Sequence, residues 1–148
     1  MSKELSIVVP AYNERDRLGA SVVEMLEYIR MRKIDGELVI VDDGSSDNTS
    51  EIAHEAAAKV SGVPCNVIKY EPNRGKGFAI KTGLMAAASD LALFSDADLS
   101  TPIDEMDKLL DPLRSGEYDV TFGSRALDRS LIGTHQPWRR EQGGRVIN

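Results

Sequence analysis

Two aspartates one residue apart, Asp96 and Asp98, follow directly on the apolar run Leu91-Ala92-Leu93-Phe94, and a helix-start signal, Thr101-Pro102, comes soon after. A run of this length bounded by a turn reads as a buried strand. Two carboxylates at the carboxyl end of a buried strand carry a desolvation cost unless a positive group meets them. Hard oxygen donors suit Mg2+ or Mn2+, and such an ion commonly carries a phosphorylated ligand. The competing reading is a solvated acidic turn. A second acid pair, Asp42-Asp43, ends another apolar run and leads into Gly44-Ser45-Ser46-Asp47.

The elements around these acids alternate. Leu5-Ser6-Ile7-Val8-Val9 is a β-branched strand that Pro10 should stop, since proline cannot donate to a central ladder. After Asn13-Glu14-Arg15, the residues Leu18, Val22, Met25, Leu26 and Ile29 form one helical face. Glu37-Leu38-Val39-Ile40-Val41 is continuous in its apolar character, as a strand covered on both faces would be. Asn48 with Glu51 predicts a capping pair for a helix carrying Ile52, Ala53, Ala56, Ala57 and Val60. Asn66-Val67-Ile68-Lys69-Tyr70 reads as a third strand, followed by the loop Asn73-Arg74-Gly75-Lys76-Gly77. The next helix has Ile80, Gly83, Leu84, Ala87 and Ala88 on one side, small enough for close packing on a sheet.

After Leu91-Ala92-Leu93-Phe94 and its two aspartates, Thr101 is placed to cap a helix with Pro102 in its first turn and Asp104 and Glu105 at the positive end of the dipole. Its buried face would be Ile103, Met106, Leu109, Leu110 and Leu113, with Gly116 breaking it. Asp119-Val120-Thr121-Phe122-Gly123 then reads as a fifth strand. The alternation predicts an α/β fold, a mostly parallel central sheet flanked by helices.

Composition narrows the function. A net charge of −6 argues against nucleic acid as a partner, which would need a basic face. The single Cys65 excludes an internal disulfide and reads as a reduced core thiol, and His54 and His135 lie too far apart in sequence to suggest zinc. No stretch is apolar for long enough to span a bilayer, and the start lacks a signal peptide, so a cytoplasmic chain is expected. From Ser124 onward Arg125, Arg129, Arg139, Arg140 and Arg145 concentrate positive charge, and Arg145-Val146-Ile147-Asn148 looks like the first turn of a helix. The expectation is a chain truncated at its C-terminus.

In an open parallel sheet, ligands bind beyond the carboxyl ends of the strands. Each strand here is followed there by a polar cluster: Tyr12-Asn13-Glu14, Asp42-Asp43-Gly44, Arg74-Gly75-Lys76, Asp96-Ala97-Asp98 and Ser124-Arg125. Gly75-Lys76-Gly77 lacks the spacing of a P-loop, and Ile80 stands where a dinucleotide fingerprint needs a small residue. Thr101 stands where an EF-hand loop beginning at Asp96 needs glycine. Asp96-Ala97-Asp98-Leu99-Ser100 also resembles the Asp-x-Asp-x-Thr motif of haloacid-dehalogenase-like phosphatases. In that family a second acid pair follows the nucleophile, whereas Asp42-Asp43 precedes it.

The array as a whole resembles the family 2 inverting glycosyltransferases with the GT-A, Rossmann-like fold. The resemblance is carried by Val8-Val9-Pro10-Ala11-Tyr12-Asn13-Glu14, Val41-Asp42-Asp43-Gly44-Ser45-Ser46-Asp47, Asn73-Arg74-Gly75-Lys76-Gly77 and Asp96-Ala97-Asp98. Asp96 through Pro102, Gly123-Ser124-Arg125 and the stretch from Gln136-Pro137 to Asn148 are similar to the polyprenyl-phosphate (dolichyl-phosphate-type) glucosyl- and mannosyltransferase branch. The resemblance implies a nucleotide-sugar-binding domain over residues 1–125 and the start of an incomplete acceptor-side region over 126–148.

It also implies roles. Pro10, Tyr12 and Glu14 would hold the nucleoside, with Val41 and Asp43 around base and ribose; Asp42 would orient its loop instead. Asp96 and Asp98 would be catalytic, Asp96 and Ala97 lying against the nucleotide sugar and Asp98 binding Mg2+ or Mn2+. Lys76 and Arg125 would add phosphate contacts. The implied reaction is inverting transfer of a hexose from UDP-glucose, or GDP-mannose, to a polyprenyl or dolichyl phosphate, with the protein peripheral at the cytoplasmic face of a membrane. The late arginines would suit that anionic acceptor or lipid headgroups, and Glu141 is a poor candidate for a general base. The alternative reading is a nucleotide-sugar-binding fragment without turnover.

Overall fold

The computed structural model describes residues 3–123. The chain forms two compact units, dividing after Met106. The first holds a four-stranded parallel sheet in the order β3-β2-β1-β4, built from β1 (Lys3–Ala11), β2 (Gly36–Asp42), β3 (Cys65–Lys69) and β4 (Ser89–Phe94). Helices α1 (Leu18–Met31), α2 (Thr49–Ala57) and α3 (Lys76–Ala86) connect them. The fold is the expected α/β architecture.

Every residue of β2 is buried, as its unbroken apolar run requires. Strand residues alternate between faces. Val8, Val39 and Val41 line one face with Ala79 of α3, joined by Ile68 and Tyr70. Gly83 lets α3 come close: a Cβ there would lie 2.2 Å from Val8 Cγ1 and 3.1 Å from Val41 Cγ2. The alternate set, Ile7, Val9, Leu38 and Ile40, is fully buried, and α1 packs on β2 with α2 beside it. Leu18, Val22, Met25, Leu26 and Ile29 are all fully buried, so the α1 face is the one their spacing predicts.

Several expectations need correction. Pro10 does not stop β1, which runs on to Ala11 with Pro10 in register with Val41. Val8 O accepts the N–H of Ser95, so Val8, and with it Pro10, points its backbone polar groups toward β4. The β4 ladder ends at Val8, and Pro10 lies past it, where a missing N–H leaves no rung broken. The β4 strand is not buried either: Leu91 and Leu93 are half-buried, and Phe94 is 52% exposed. Among the described residues β4 is an edge strand, with β1 as its neighbour. On α3 the fully buried positions are Ala79 and Gly83, while Leu84 and Ala88 are exposed, so the packed face is rotated from the predicted one.

The predicted Asn48–Glu51 box does not form: Asn48 makes no side-chain capping hydrogen bond, and Asp47 Oδ1 accepts the N–H of Thr49 at 3.0 Å together with its hydroxyl. Cys65 is free but half-buried at the start of β3, and burial pushes its thiol up to about 11. Pro102 precedes a single 3₁₀ turn, Ile103–Glu105, that leads into α4 (Met106–Arg114).

The second unit begins within α4, where Leu110 is buried and Leu109 and Leu113 are half-buried. Gly116, at φ +73°, follows the helix end as expected. The predicted fifth strand over 119–123 is absent from the described structure: the segment is irregular, Val120 and Phe122 are exposed, and Thr121 donates its hydroxyl to Leu109 O at 2.8 Å. Strand propensity is realised only against a neighbouring strand, and none pairs with this segment among the described residues. Arg125, the later arginines, Glu141 and the whole 126–148 region lie outside the described residues.

Candidate functional site

The strand order fixes where a site can form. The chain steps outward from β1 through β2 to β3, then returns to place β4 on the other side of β1. The reversal leaves a crevice at the carboxyl ends of β1 and β4, the usual ligand position in such sheets. The loops after all four strands supply polar side chains at that edge. Tyr12–Glu14 and Ser95–Asp98 flank the crevice itself, while Asp42–Asp47 and Asn73–Lys76 stand beside it.

The loop after β1 is held rigidly by the loop after β2. Asn13, at φ +54°, receives its brace from Ser45, whose hydroxyl accepts the Asn13 N–H at 2.9 Å, and Asn13 Oδ1 accepts the Ser46 N–H at 3.0 Å. Thr49 Oγ1 accepts the N–H of Glu14 at 2.9 Å. Asp47, which anchors Thr49 in turn, is pushed up by burial, but the Thr49 hydroxyl and N–H, the Arg15 N–H and the Arg15 charge bring it net below the ordinary carboxylate range. Tyr12 is half-exposed on this loop and available to a ligand.

Asp42 and Asp43 have different work. Asp42 is fully buried; its Oδ1 accepts the N–H of Ser45 at 2.8 Å, its Oδ2 accepts the Ser50 hydroxyl at 2.5 Å, and Lys69 Nζ lies 3.7 Å away. It orients the loop, as expected. Asp43 accepts the N–H of Arg74 through Oδ1 and that of Gly75 through Oδ2, both at 2.8 Å, while Asn73 Nδ2 donates to its carbonyl at 2.9 Å. Asp43 is only 3% exposed, with one N–H held by each carboxylate oxygen. Gly44, at φ +74°, permits this junction, since a Cβ there would meet Asn73 N at 2.7 Å. Beside Asp43, the Arg74 guanidinium lies 3.5 Å from the Phe78 ring centroid, and Tyr70 packs edge-on against Phe78. Burial, then the Asp43 carboxylate, raises the Tyr70 hydroxyl above its usual range, so it stays protonated.

The crevice itself holds paired charges. Lys76 Nζ lies 2.5 Å from Asp96 Oδ1. Asp98 Oδ1 accepts the N–H of Ser100 at 3.1 Å, in a turn where Leu99 takes φ +45°. Arg17 Nη1 approaches Asp98 Oδ2 at 3.8 Å, and its Nη2 lies 2.7 Å from Glu14 Oε2. That Glu14 oxygen is closed off from solvent and has no aligned hydrogen bond, so Arg17 is its polar neighbour.

The structure therefore brings Glu14, Asp96, Asp98 and Lys76 to one crevice, with Tyr12 and Asp43 at the same sheet edge. Pro10, Val41, Asp43 and Ala97 are buried. Val41 packs with Val8, Val39 and Ala79 and lies in register with both β1 and β3. Arg17 was missed by sequence reasoning. The available signal was a cation at the N-cap of α1, with no capping hydrogen bond, where the helix dipole and capping preference both disfavour it.

Among the described residues, no group of three His, Cys, Asp or Glu side chains is set to hold a metal. Asp96 and Asp98, both half-exposed, fit a different arrangement: an open site of one or two hard carboxylates completed by substrate phosphates.

Comparison with known proteins agrees. The chain is 36% identical over 149 residues to dolichyl-phosphate beta-glucosyltransferase of Homo sapiens, covering 93% of this chain and 46% of that protein. It is 32% identical over 146 residues to undecaprenyl-phosphate 4-deoxy-4-formamido-L-arabinose transferase of Serratia proteamaculans, covering 99% and 42%. The chain thus spans less than half the length of these relatives. The fold matches the mannosyltransferase PcManGT from Pyrobaculum calidifontis in complex with GDP-Man and Mn2+, with a TM-score of 0.54 and 26% identity, over 66% of this chain and 28% of that one. It also matches glucosyl-3-phosphoglycerate synthase from Mycobacterium tuberculosis in complex with Mn2+, UDP-glucose and phosphoglyceric acid, with a TM-score of 0.57 and 25% identity, over 78% and 40%. The glycosyl transferase family 2 sequence profile matches residues 6–142, and the chain belongs to that family.

Proposed function

We propose that these residues form the donor-binding part of an inverting, divalent-metal-dependent hexosyltransferase that moves glucose from UDP-glucose to a polyprenyl or dolichyl phosphate. The observation that supports this most is the crevice between β1 and β4, where Asp96 and Asp98 stand beside Glu14 and Lys76. The similarity to polyprenyl-phosphate sugar transferases supports the acceptor, and GDP-mannose is the alternative donor.

In this reading Glu14 and Asp43 accept from nucleoside N–H and hydroxyl groups, with Tyr12 beside them. Pro10 and Val41 shape the wall behind the nucleoside, and Ala97 keeps the backbone close to the donor. Asp96 addresses the sugar, Lys76 the diphosphate, and Arg125 adds a phosphate contact. Asp98 is the metal ligand; a bound Mg2+ or Mn2+ supplies charge neutralisation for the leaving nucleoside diphosphate. The acceptor phosphate is already ionised near neutral pH, so positioning and electrostatics suffice without a general base. Single displacement at the anomeric carbon inverts its configuration.

No helix among the described residues is long and apolar enough to cross a membrane. Contact with a lipid-borne acceptor at the cytoplasmic face is part of the same proposal. Residues 1–125 act as the donor domain and 126–148 begin the acceptor side. The second reading, donor binding without turnover in these residues alone, is not favoured by the similarity to sugar transferases. Family membership does not favour the phosphatase alternative.

The test is release of UDP or GDP from the two donors with Mn2+, in the presence and absence of a polyprenyl phosphate. Acceptor-dependent UDP release supports transfer. Metal-dependent donor binding with no release under any acceptor supports the second reading, and neither binding nor release rejects both.

A further inference from the structure

Arg17 touches both ends of the crevice, yet the donor-site roles above do not use it. Its guanidinium spans from Glu14, on the nucleoside side, to Asp98, on the metal side. We propose that Arg17 is a positioning residue that acts as the resident counterion of Asp98, leaving that carboxylate when a divalent cation arrives while remaining on Glu14. The proposal rests on the assignment of Asp98 as a metal ligand.

Three observations carry it. First, the two contacts are unequal. The Glu14 contact is 2.7 Å long and made to a carboxylate that is 20% exposed, whereas the Asp98 contact is 3.8 Å long and made to one that is 40% exposed. Attraction falls with distance and with solvent screening, so the Asp98 contact yields first. Second, Glu14 Oε2 is shut off from water without an aligned hydrogen bond, and removing Arg17 entirely would leave it unpartnered. Third, Arg17 occupies the α1 N-cap, where a cation opposes the dipole and supplies no cap. A local rule broken without local gain marks a position set by the site.

The arrangement has a consequence for an otherwise exposed acid pair. With Lys76 on Asp96 and Arg17 on Asp98, neither aspartate faces the other uncompensated when the crevice holds no cation. The Asp98 contact is weak enough that a divalent ion, with twice the charge and direct coordination, displaces the guanidinium.

The experiment is Mn2+ binding to the free protein, read as loss of the free-ion signal in electron paramagnetic resonance, for wild type, Arg17→Gln, Arg15→Gln, Asp98→Asn and the double variant Arg17→Gln/Asp98→Asn. Arg15 carries the same charge two residues away and pairs with Asp16 instead, so it measures the general effect of removing one positive charge. Arg17→Gln is expected to tighten Mn2+ binding about two- to fivefold, the equilibrium shift of a part-exposed ion pair. Arg15→Gln should fall well short of that, and in the Asp98→Asn background Arg17→Gln should change nothing. Equal tightening by Arg15→Gln and Arg17→Gln, or weaker binding in Arg17→Gln, overturns the Arg17 proposal while leaving the metal site intact if Asp98→Asn still loses Mn2+. Unchanged binding in Asp98→Asn overturns the metal-site assignment and the Arg17 proposal with it.

Discussion

Lys76 and Asp96 meet at 2.5 Å, tying the first residue of α3 to the loop after β4 across the mouth of the crevice. Both side chains are more than a third exposed, so the pair itself contributes little to stability. Its value lies in placing an ammonium where a diphosphate would come. Lys76→Met is therefore expected to weaken UDP binding about three- to tenfold with little change in thermal stability. Calorimetric titration checks it; unchanged affinity would reduce Lys76 to a counterion for Asp96.

Gly83 sets the distance between α3 and the sheet, with Val8 directly beneath it. Alanine would improve helix propensity by about 1 kcal/mol, but its methyl group would enter the space of Val8 Cγ1. Overpacking in a buried contact costs about 1–3 kcal/mol, so the clash wins and Gly83→Ala destabilises. Urea unfolding reads this directly; a variant as stable as wild type would mean that α3 shifts freely.

Asp42 is buried with two donors on its carboxylate and Lys69 nearby. Asp42→Ala leaves the Ser45 N–H and the Ser50 hydroxyl without their acceptor, a loss of about 1–3 kcal/mol. UDP affinity, measured well below the melting temperature, should stay within about twofold of wild type, because Asp42 braces the loop without reaching the crevice. A large affinity loss in a stable variant would give Asp42 a ligand contact instead.

Asp47 titrates below its ordinary value in the folded chain. A depressed carboxyl contributes stability that is present above its unfolded value of 3.8 and is lost as pH falls through the lower folded value. The melting temperature of wild type should therefore drop more steeply than that of Asp47→Asn as pH is lowered from about 5 toward 3. Parallel curves would show that the Thr49 hydrogen bonds do not favour the charged form.

Much of this was legible in the sequence because β2 and β4 end where apolar residues give way to acids, and β1 and β3 where they give way to polar loops. The buried faces of α1 and β2 follow from spacing and continuity alone, and the convergence of four loops follows from strand alternation. What failed depends on partners. Leu91-Ala92-Leu93-Phe94 has the composition of a covered strand, but β4 has one neighbour and half its side chains face outward. Val120 and Phe122 have strand propensity but no strand beside them among the described residues. Asn48 stands at the N-cap of α2 but makes no capping hydrogen bond, while Asp47 before it holds Thr49. Arg17 gains its meaning only when the loops after β1 and β4 meet, which sequence spacing cannot express.

In the proposed function, the crevice between β1 and β4 binds a nucleoside diphosphate through a cation on Asp98. Calorimetric titration of UDP into wild type and Asp98→Asn, with Mn2+ and with the metal chelated, tests it most directly. UDP binding to wild type is expected to require Mn2+ and to weaken about tenfold or more in Asp98→Asn. Binding of equal strength in both proteins, indifferent to the metal, would contradict it.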